Sequence, residues 1–146
     1  MTQPMIEIRG LTKAFQGQPV LRGVDMVVPE GMVTAVIGKS GEGKSVLLKH
    51  IIGLMTQDSG DILFQGQPLS AMSRDERRDF RRRCSYMFQN MALFDSMTVS
   101  QNIALPLRET LHQREAEATA RVRAMAERLE LTNILHKYPS QISGGM

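Results

Sequence analysis

Eight consecutive residues carry the densest chemistry in this chain. Gly38-Lys39-Ser40-Gly41-Glu42-Gly43-Lys44-Ser45 spells G-x-x-x-x-G-K-[ST], a phosphate-binding loop. Its glycines permit backbone angles that turn successive N–H groups toward phosphate oxygens. A helix opening at Lys44 adds its positive dipole end, with first-turn amides running through Ser45 and Val46. Lys44 would reach the β- and γ-phosphates as a point charge, and the Ser45 hydroxyl would ligate Mg²⁺. The chemistry implied is binding of a nucleoside triphosphate such as ATP with Mg²⁺. This motif alone does not choose between GTPases, kinases, helicases and transporters.

Such a loop works only between a strand that ends at Gly38 and a helix that starts after it. Both are legible. Met32–Ile37 is a short apolar run rich in β-branched residues, which predicts a central parallel strand. Lys44–Leu54 has apolar residues at 47, 48, 51 and 52, which is helical spacing. Upstream, Met5–Arg9 alternates like a half-buried strand and Val24–Val28 is a second candidate. Gln16-Gly-Gln-Pro19 reads as the turn between them, and Pro29-Glu-Gly31 as another. Ser59–Gln65 predicts a strand closed by the turn Gly66-Gln-Pro68.

The character then changes. Ser73 with Glu76 has capping-box spacing and predicts a helix to about Arg83; Thr98 with Gln101 repeats the signal. Pro106 is expected to limit that second helix. Cys84–Phe88 is strand-like. His112–Leu131 is the longest helical pattern, with Val122, Met125, Ala126 and Leu129 on one face, and Pro139 breaks the chain before Ser143.

Composition bounds the class. The 146 residues have the apolar and charged fractions of an ordinary globular domain. No apolar run reaches the roughly 18–20 residues of a membrane span, and Met1–Met5 lacks a signal-peptide pattern. The single cysteine, Cys84, forms no internal disulfide, which suits the cytosol; a small buried thiol is its expected state. The net charge of +3 equals that of Arg74–Arg83 alone, so a uniformly basic nucleic-acid binder is not expected. That arginine-rich stretch is read either as a solvated helix face or as a surface meeting anionic lipid or an acidic partner.

Beyond the loop, the chain resembles the ATP-binding-cassette (ABC) ATPase family over essentially its whole length. Phe15, in Leu11-Thr-Lys-Ala-Phe15, stands where that family places an aromatic that stacks on adenine; a core phenylalanine is the alternative. Ser59-Gly60 before Ile62–Phe64 resembles the hairpin that follows the first helix. Gln89, in Tyr86-Met-Phe-Gln89, matches the Q-loop glutamine, which touches Mg²⁺ or the attacking water and reports nucleotide state to a membrane partner. Gln141-Ile-Ser-Gly-Gly-Met146 is similar to the signature motif L-S-G-G-Q, with Ile142 and Met146 as departures. By that resemblance Ser143, Gly144 and Gly145 bind the γ-phosphate of ATP held by a second copy in a head-to-tail dimer. Together with Ala92-Leu-Phe-Asp95, Met97-Thr-Val99 and Asn102–Glu109, these departures resemble the Mla/Mce-associated branch, which serves lipid transport.

The resemblance implies an α/β fold: a P-loop NTPase core, incomplete here, with an N-terminal antiparallel β region and a helical subdomain. Residues 1–69 would hold the β region and the phosphate-binding unit, 70–142 the helical subdomain with the Q-loop, and 143–146 the start of the signature. It also implies transmembrane permease subunits as partners and a peripheral place on the cytoplasmic face of the inner membrane. In the family the Walker B Asp, the catalytic Glu and the switch His all follow the signature. None of His50, His112 and His136 does, and each is expected at the surface or its boundary. This chain is therefore expected to be a truncated piece that binds nucleotide without normal turnover. Met32–Ile37 should then lack a neighbour, leaving the fragment weakly stable or self-associating. A soluble ABC-type ATPase without a transport role and a non-enzymatic nucleotide-binding module remain the alternatives.

Overall fold

The computed structural model describes residues 4–88 and 92–146. They fall into two compact units, Met1–Tyr86 and Met87–Met146.

The first unit holds a four-stranded antiparallel sheet and two helices. Its strands β1 (Pro4–Phe15), β2 (Gln18–Pro29), β3 (Ser59–Phe64) and β4 (Gln67–Pro68) lie in the order β2-β1-β3-β4. Both hairpins close through a Gln-Gly pair at positive φ: Gln16 at 50° with Gly17 at 79°, and Gln65 at 50° with Gly66 at 83°. Two-residue turns of that hand match the right-handed twist of the flanking strands. The strands expected around Met5–Arg9, Val24–Val28 and Ser59–Gln65 form, both N-terminal ones longer than the alternation showed, while the second turn lies at Gln65-Gly66 and Gln67–Pro68, expected in that turn, is strand β4.

Helix α1 (Lys44–Ile51) lays Leu47 and Ile51 against Ile8, Leu11, Leu21 and Ile62, and this cluster is the core of the unit. It ends three residues before the predicted Leu54. Gly53, at φ +69°, donates its N–H to His50 O and Leu54 donates to Lys49 O. That pair of bonds is a Schellman stop, which satisfies the last carbonyls and turns the chain away. His50, expected at the surface or boundary, is instead 1% exposed. It follows Leu47 by three positions on the same face, and its Nδ1 bonds Val46 O at 2.7 Å.

Helix α2 (Arg74–Arg83) starts at the predicted capping box: Ser73 N–H donates to Glu76 Oε2 at 2.7 Å and Glu76 N–H to Ser73 Oγ at 3.3 Å. Phe80 is its buried residue and meets Phe64 of β3 edge to face, 4.9 Å between ring centres. The arginines are divided: Arg78 pairs with Asp75, Arg82 with Asp79, and Arg77 donates to the Met72 and Ser70 carbonyls.

Two predicted strands do not form. Met32–Ile37 joins no strand of the sheet, and Val33 and Ile37 stand 98% and 92% exposed. An apolar run becomes a strand only through ladder bonds to a neighbour, and the described residues supply none beside it. Cys84–Phe88 likewise stays outside the sheet, and Cys84 is half-buried rather than fully so.

The second unit is helical. Helix α3 (Val99–Glu109) opens on the predicted Thr98/Gln101 capping box. Its first two amides, Val99 and Ser100, donate to Lys137 O and Leu135 O, which ties the chain before Pro139 to the helix start. Pro106 lies inside α3 instead of ending it, because Pro106 O still accepts from Thr110 and Leu111 and carries the last turn. Helix α4 (Glu115–Arg128) is shorter than the predicted 112–131. Ala118, Val122 and Ala126 form its buried stripe, and Ala104 of α3 packs on it with Ile103 and Leu107. Met125 and Leu129, expected on that face, are half exposed on its flank. The helix stops through a second Schellman pair, Glu130 N–H to Glu127 O and Leu131 N–H to Ala126 O. Glutamate, at φ +58°, holds the left-handed position that glycine usually takes, so no glycine signals this end.

Candidate nucleotide site

The phosphate-binding loop lies in the first unit, between the largely exposed 32–37 run and α1. Gly43 is the residue before the helix. It takes φ +87°, and its O accepts Leu47 N–H at 2.8 Å as the first helical bond. A Cβ there would lie 2.9 Å from Val20 Cγ1 and 3.1 Å from Leu21 Cδ2. Two independent constraints therefore require glycine: the left-handed backbone and the close approach to β2.

Inside the loop, the Lys44 ammonium donates to Gly38 O at 2.7 Å and to Lys39 O at 2.6 Å. Lys39 N–H donates to Glu42 Oε2 at 2.7 Å. The loop thus curls around its own lysine. Gly38, Lys39, Ser40, Gly41 and Glu42 are exposed, and Ser45 is exposed on the first turn of α1. The amides of Lys44, Ser45 and Val46 open the helix and have no acceptor four residues back. A cation held on the loop carbonyls, the first-turn amides and the helix dipole all belong to this loop-to-helix junction, and these are the kinds of donor an oligophosphate requires.

The site also suits Mg²⁺. That ion keeps most of its waters and takes few protein ligands beside the substrate's phosphates, so one exposed hydroxyl from Ser45 fits it. Among the described residues no cluster of three or more His, Cys, Asp or Glu side chains offers a separate metal site. Gln89, the other expected Mg²⁺ contact, lies outside the described residues.

Phe15 ends β1 and is 42% exposed, so it is not a core residue. Lys13 Nζ sits 5.7 Å from its ring centre, anchored by Asp58 at 2.7 Å. Asp58 also accepts Ala14 N–H at 2.7 Å, and these contacts hold its carboxyl below the usual range, the Lys13 bond contributing most. The cross-strand partner of Phe15 is Gln18, which opens the same strand whose Val20 and Leu21 seat Gly43. The hairpin therefore carries this exposed ring on β1, the strand paired with the one that supports the loop.

Ser143, Gly144 and Gly145 belong to the other unit. They are exposed and form a turn closed by Met146 N–H to Ser143 O at 3.0 Å. The sequence places Glu42 in the phosphate-binding loop without a role for its carboxylate, and it gives no sign of the part played by Asn102. The latter accepts Phe94 N–H and donates to the carbonyls of Phe94, Met97 and Thr98, pinning the loop before α3. An asparagine at the fourth helical position carries no distinctive pattern, so only contacts could show this.

Comparison with known proteins agrees with the geometry. The ABC transporter family profile matches residues 21–146. The chain is 38% identical over 141 residues to the methionine import ATP-binding protein MetN of Clostridium acetobutylicum, covering 97% of this chain and 44% of that protein. It is also 38% identical over 141 residues to the probable ribonucleotide transport ATP-binding protein mkl of Mycobacterium leprae, covering 97% and 41%. Among solved structures, a dimeric post-hydrolysis state of the ATP-binding cassette MJ0796, bound to ADP and Pi, superimposes with TM-score 0.83 at 26% identity. That overlap covers 97% of this chain and 64% of MJ0796. The chain spans less than half the length of the two curated relatives, whose names point to methionine and ribonucleotide transport rather than to lipids. The expected α/β P-loop NTPase fold is that of these neighbours, and this chain belongs to the ABC transporter family, in its ATP-binding subunits.

Proposed function

We propose that this chain is the nucleotide-gripping part of an ATPase subunit that couples ATP binding and hydrolysis to transport across a membrane. The observation that carries it is the loop itself: a lysine ammonium held on the Gly38 and Lys39 carbonyls beside the open amides of α1. Lys44 would neutralise the β- and γ-phosphates, Ser45 and Gln89 would hold Mg²⁺, and Phe15 would stack on the adenine. Mg²⁺, when bound, would offset charge that develops on the transferred phosphoryl oxygens. Ser143, Gly144 and Gly145 would meet ATP on a second copy, head to tail.

In this division of labour residues 1–69 grip nucleotide, 70–142 dock on transmembrane permease subunits, and 143–146 open the signature. The complete subunit would sit peripherally on the cytoplasmic face of the membrane. No helix among the described residues is long and apolar enough to cross one. Turnover would require the Walker B Asp, catalytic Glu and switch His of a longer chain. The test is ATP–Mg²⁺ binding and hydrolysis by this chain and by one extended to the natural stop codon. Binding by both, hydrolysis only in the longer one, and loss of both on Lys44→Ala are expected; hydrolysis by the short chain would overturn the assignment of the catalytic base.

For the cargo, Ala92–Asp95, Met97–Val99, Asn102–Glu109 and the Ile142/Met146 departures support a phospholipid or other hydrophobic molecule. Isolating the complete subunit with its permease and identifying co-purified lipid by mass spectrometry tests this. Turnover stimulated by a water-soluble solute and not by phospholipid would sink it.

A further inference from the structure

The phosphate-binding loop contains a carboxylate that its motif does not ask for. Glu42 occupies one of the four unspecified positions, beside the place where a polyanion must enter. A free negative charge there would oppose phosphate. The geometry gives it different work.

Glu42 Oε2 accepts the Lys39 N–H at 2.7 Å, while Glu42 N–H approaches Lys39 O at 3.4 Å. The two contacts close residues 39–42 into a ring. One half matches what Glu76 and Gln101 do at the starts of α2 and α3, where a side chain three residues on reaches back to the Ser73 or Thr98 amide; the return bond here goes to the Lys39 carbonyl instead of a hydroxyl. Here the ring is joined to the catalytic lysine. The peptide unit between Gly38 and Lys39 is held at both ends: its oxygen accepts from Lys44 Nζ and its N–H donates to Glu42. Lys39 O takes a further bond from Lys44 Nζ at 2.6 Å.

The amide that Glu42 engages is that of Lys39, at the loop's far limb from α1. The first-turn amides of Lys44, Ser45 and Val46 are left to a ligand. The carboxylate also lies directly over Gly38, where an added Cβ would be 2.6 Å from Oε2.

We propose that Glu42 is a positioning residue for the nucleotide: fixed on the Lys39 amide, its carboxylate holds the loop in the curled shape that aims Lys44, without itself touching the ligand. This rests on the reading of the loop as an ATP site. Preorganisation of this kind lowers the ordering penalty of binding, so its loss reads out as affinity.

The experiment compares the wild-type chain with Glu42→Ala and Glu42→Gln by calorimetric titration with Mg²⁺-ATP, alongside thermal unfolding without nucleotide. A backbone hydrogen bond to a charged group, exposed to solvent, sets the expected loss for Glu42→Ala at about tenfold in Kd. Glu42→Gln keeps an oxygen that accepts the Lys39 N–H and should recover most of that affinity. A merely structural role would lower the unfolding temperature of Glu42→Ala without this Gln rescue. Unchanged or tighter binding by Glu42→Ala overturns the proposal and makes the carboxylate a bystander or a competitor of phosphate. Failure of Gln to rescue overturns it too, since the acceptor is then not what matters. Absence of binding by the wild-type chain as well as both variants refutes the nucleotide reading itself.

Discussion

Replacing Gly43 by alanine tests how the phosphate-binding loop is seated. The residue lies at φ +87°, where an L-residue costs about 1–2 kcal/mol relative to glycine. The new Cβ would also sit 2.9 Å from Val20 Cγ1, 3.1 Å from Leu21 Cδ2 and 3.4 Å from Val20 O. Overpacking against such neighbours costs roughly 1–3 kcal/mol, since β2 is held in its ladder and cannot give freely. The sum is about 2–5 kcal/mol, a large share of the stability of a small unit. Gly41 supplies the control: its φ is +85°, but nothing lies within 4 Å of its Cβ position. Gly41→Ala should therefore show only the conformational part, about 1–2 kcal/mol. Urea unfolding followed by circular dichroism measures both, and Mg²⁺-ATP affinity should fall further in Gly43→Ala. If Gly43→Ala is no more destabilising than Gly41→Ala, the loop does not rest on Val20 and Leu21, and the reasoning fails.

Three more outcomes follow from single contacts. The Ser73 amide and hydroxyl and the Gln67 amide hold the Glu76 carboxyl down to about 2 from its ordinary 4.5. Folding thus gains from its charge above the ordinary value, and that gain is lost as pH falls from about 4.5 toward 2. The unfolding temperature of the wild-type chain should drop more steeply across that window than that of Glu76→Gln; parallel curves would remove Glu76 as a source of acid sensitivity. Asn102→Ala deletes four hydrogen bonds around residues 94–98 and should destabilise the helical unit by about 2 kcal/mol. Hydrogen exchange at the Phe94 amide should accelerate, and an unchanged rate would show that Asn102 does not pin this loop. Glu130→Gly should stabilise the chain by about 0.5–1 kcal/mol, left-handed strain relieved at α4's end outweighing the extra unfolded-state freedom of glycine. A lower unfolding temperature for that variant would argue against the left-handed stop.

Local chemistry was legible from the residues because it is encoded at short range. The two capping boxes need only a hydroxyl and an acceptor three residues apart, and both formed where Ser73/Glu76 and Thr98/Gln101 predicted. The Gln-Gly turns and the loop-to-helix junction at Gly43-Lys44 are likewise properties of a few adjacent residues. Where a signal depended on a partner elsewhere, the reading went wrong. Met32–Ile37 has the composition of a buried strand but no ladder neighbour, so Met32, Val33 and Ile37 are left exposed and only Val36 packs on the core. Leu54 and Leu131 continue a helical spacing that backbone stops at Gly53 and Glu130 had already ended.

The type and order of the residues determined that this chain holds a phosphate-binding loop, a helix behind it and an antiparallel hairpin ahead of it. Motif spacing and side-chain chemistry act within a few bonds, and no tertiary contact is needed to read them. Only the folded molecule decided that His50 is buried, that Phe15 is an exposed ring braced by Lys13, and that Glu42 grips the Lys39 amide. The first two rest on packing between segments distant in the chain, Lys13 being braced by Asp58; the third rests on the curl of the loop itself. The packing of α1 is settled when Leu47 and Ile51 bury themselves against the β1–β2 sheet and bring the loop down on Val20 and Leu21.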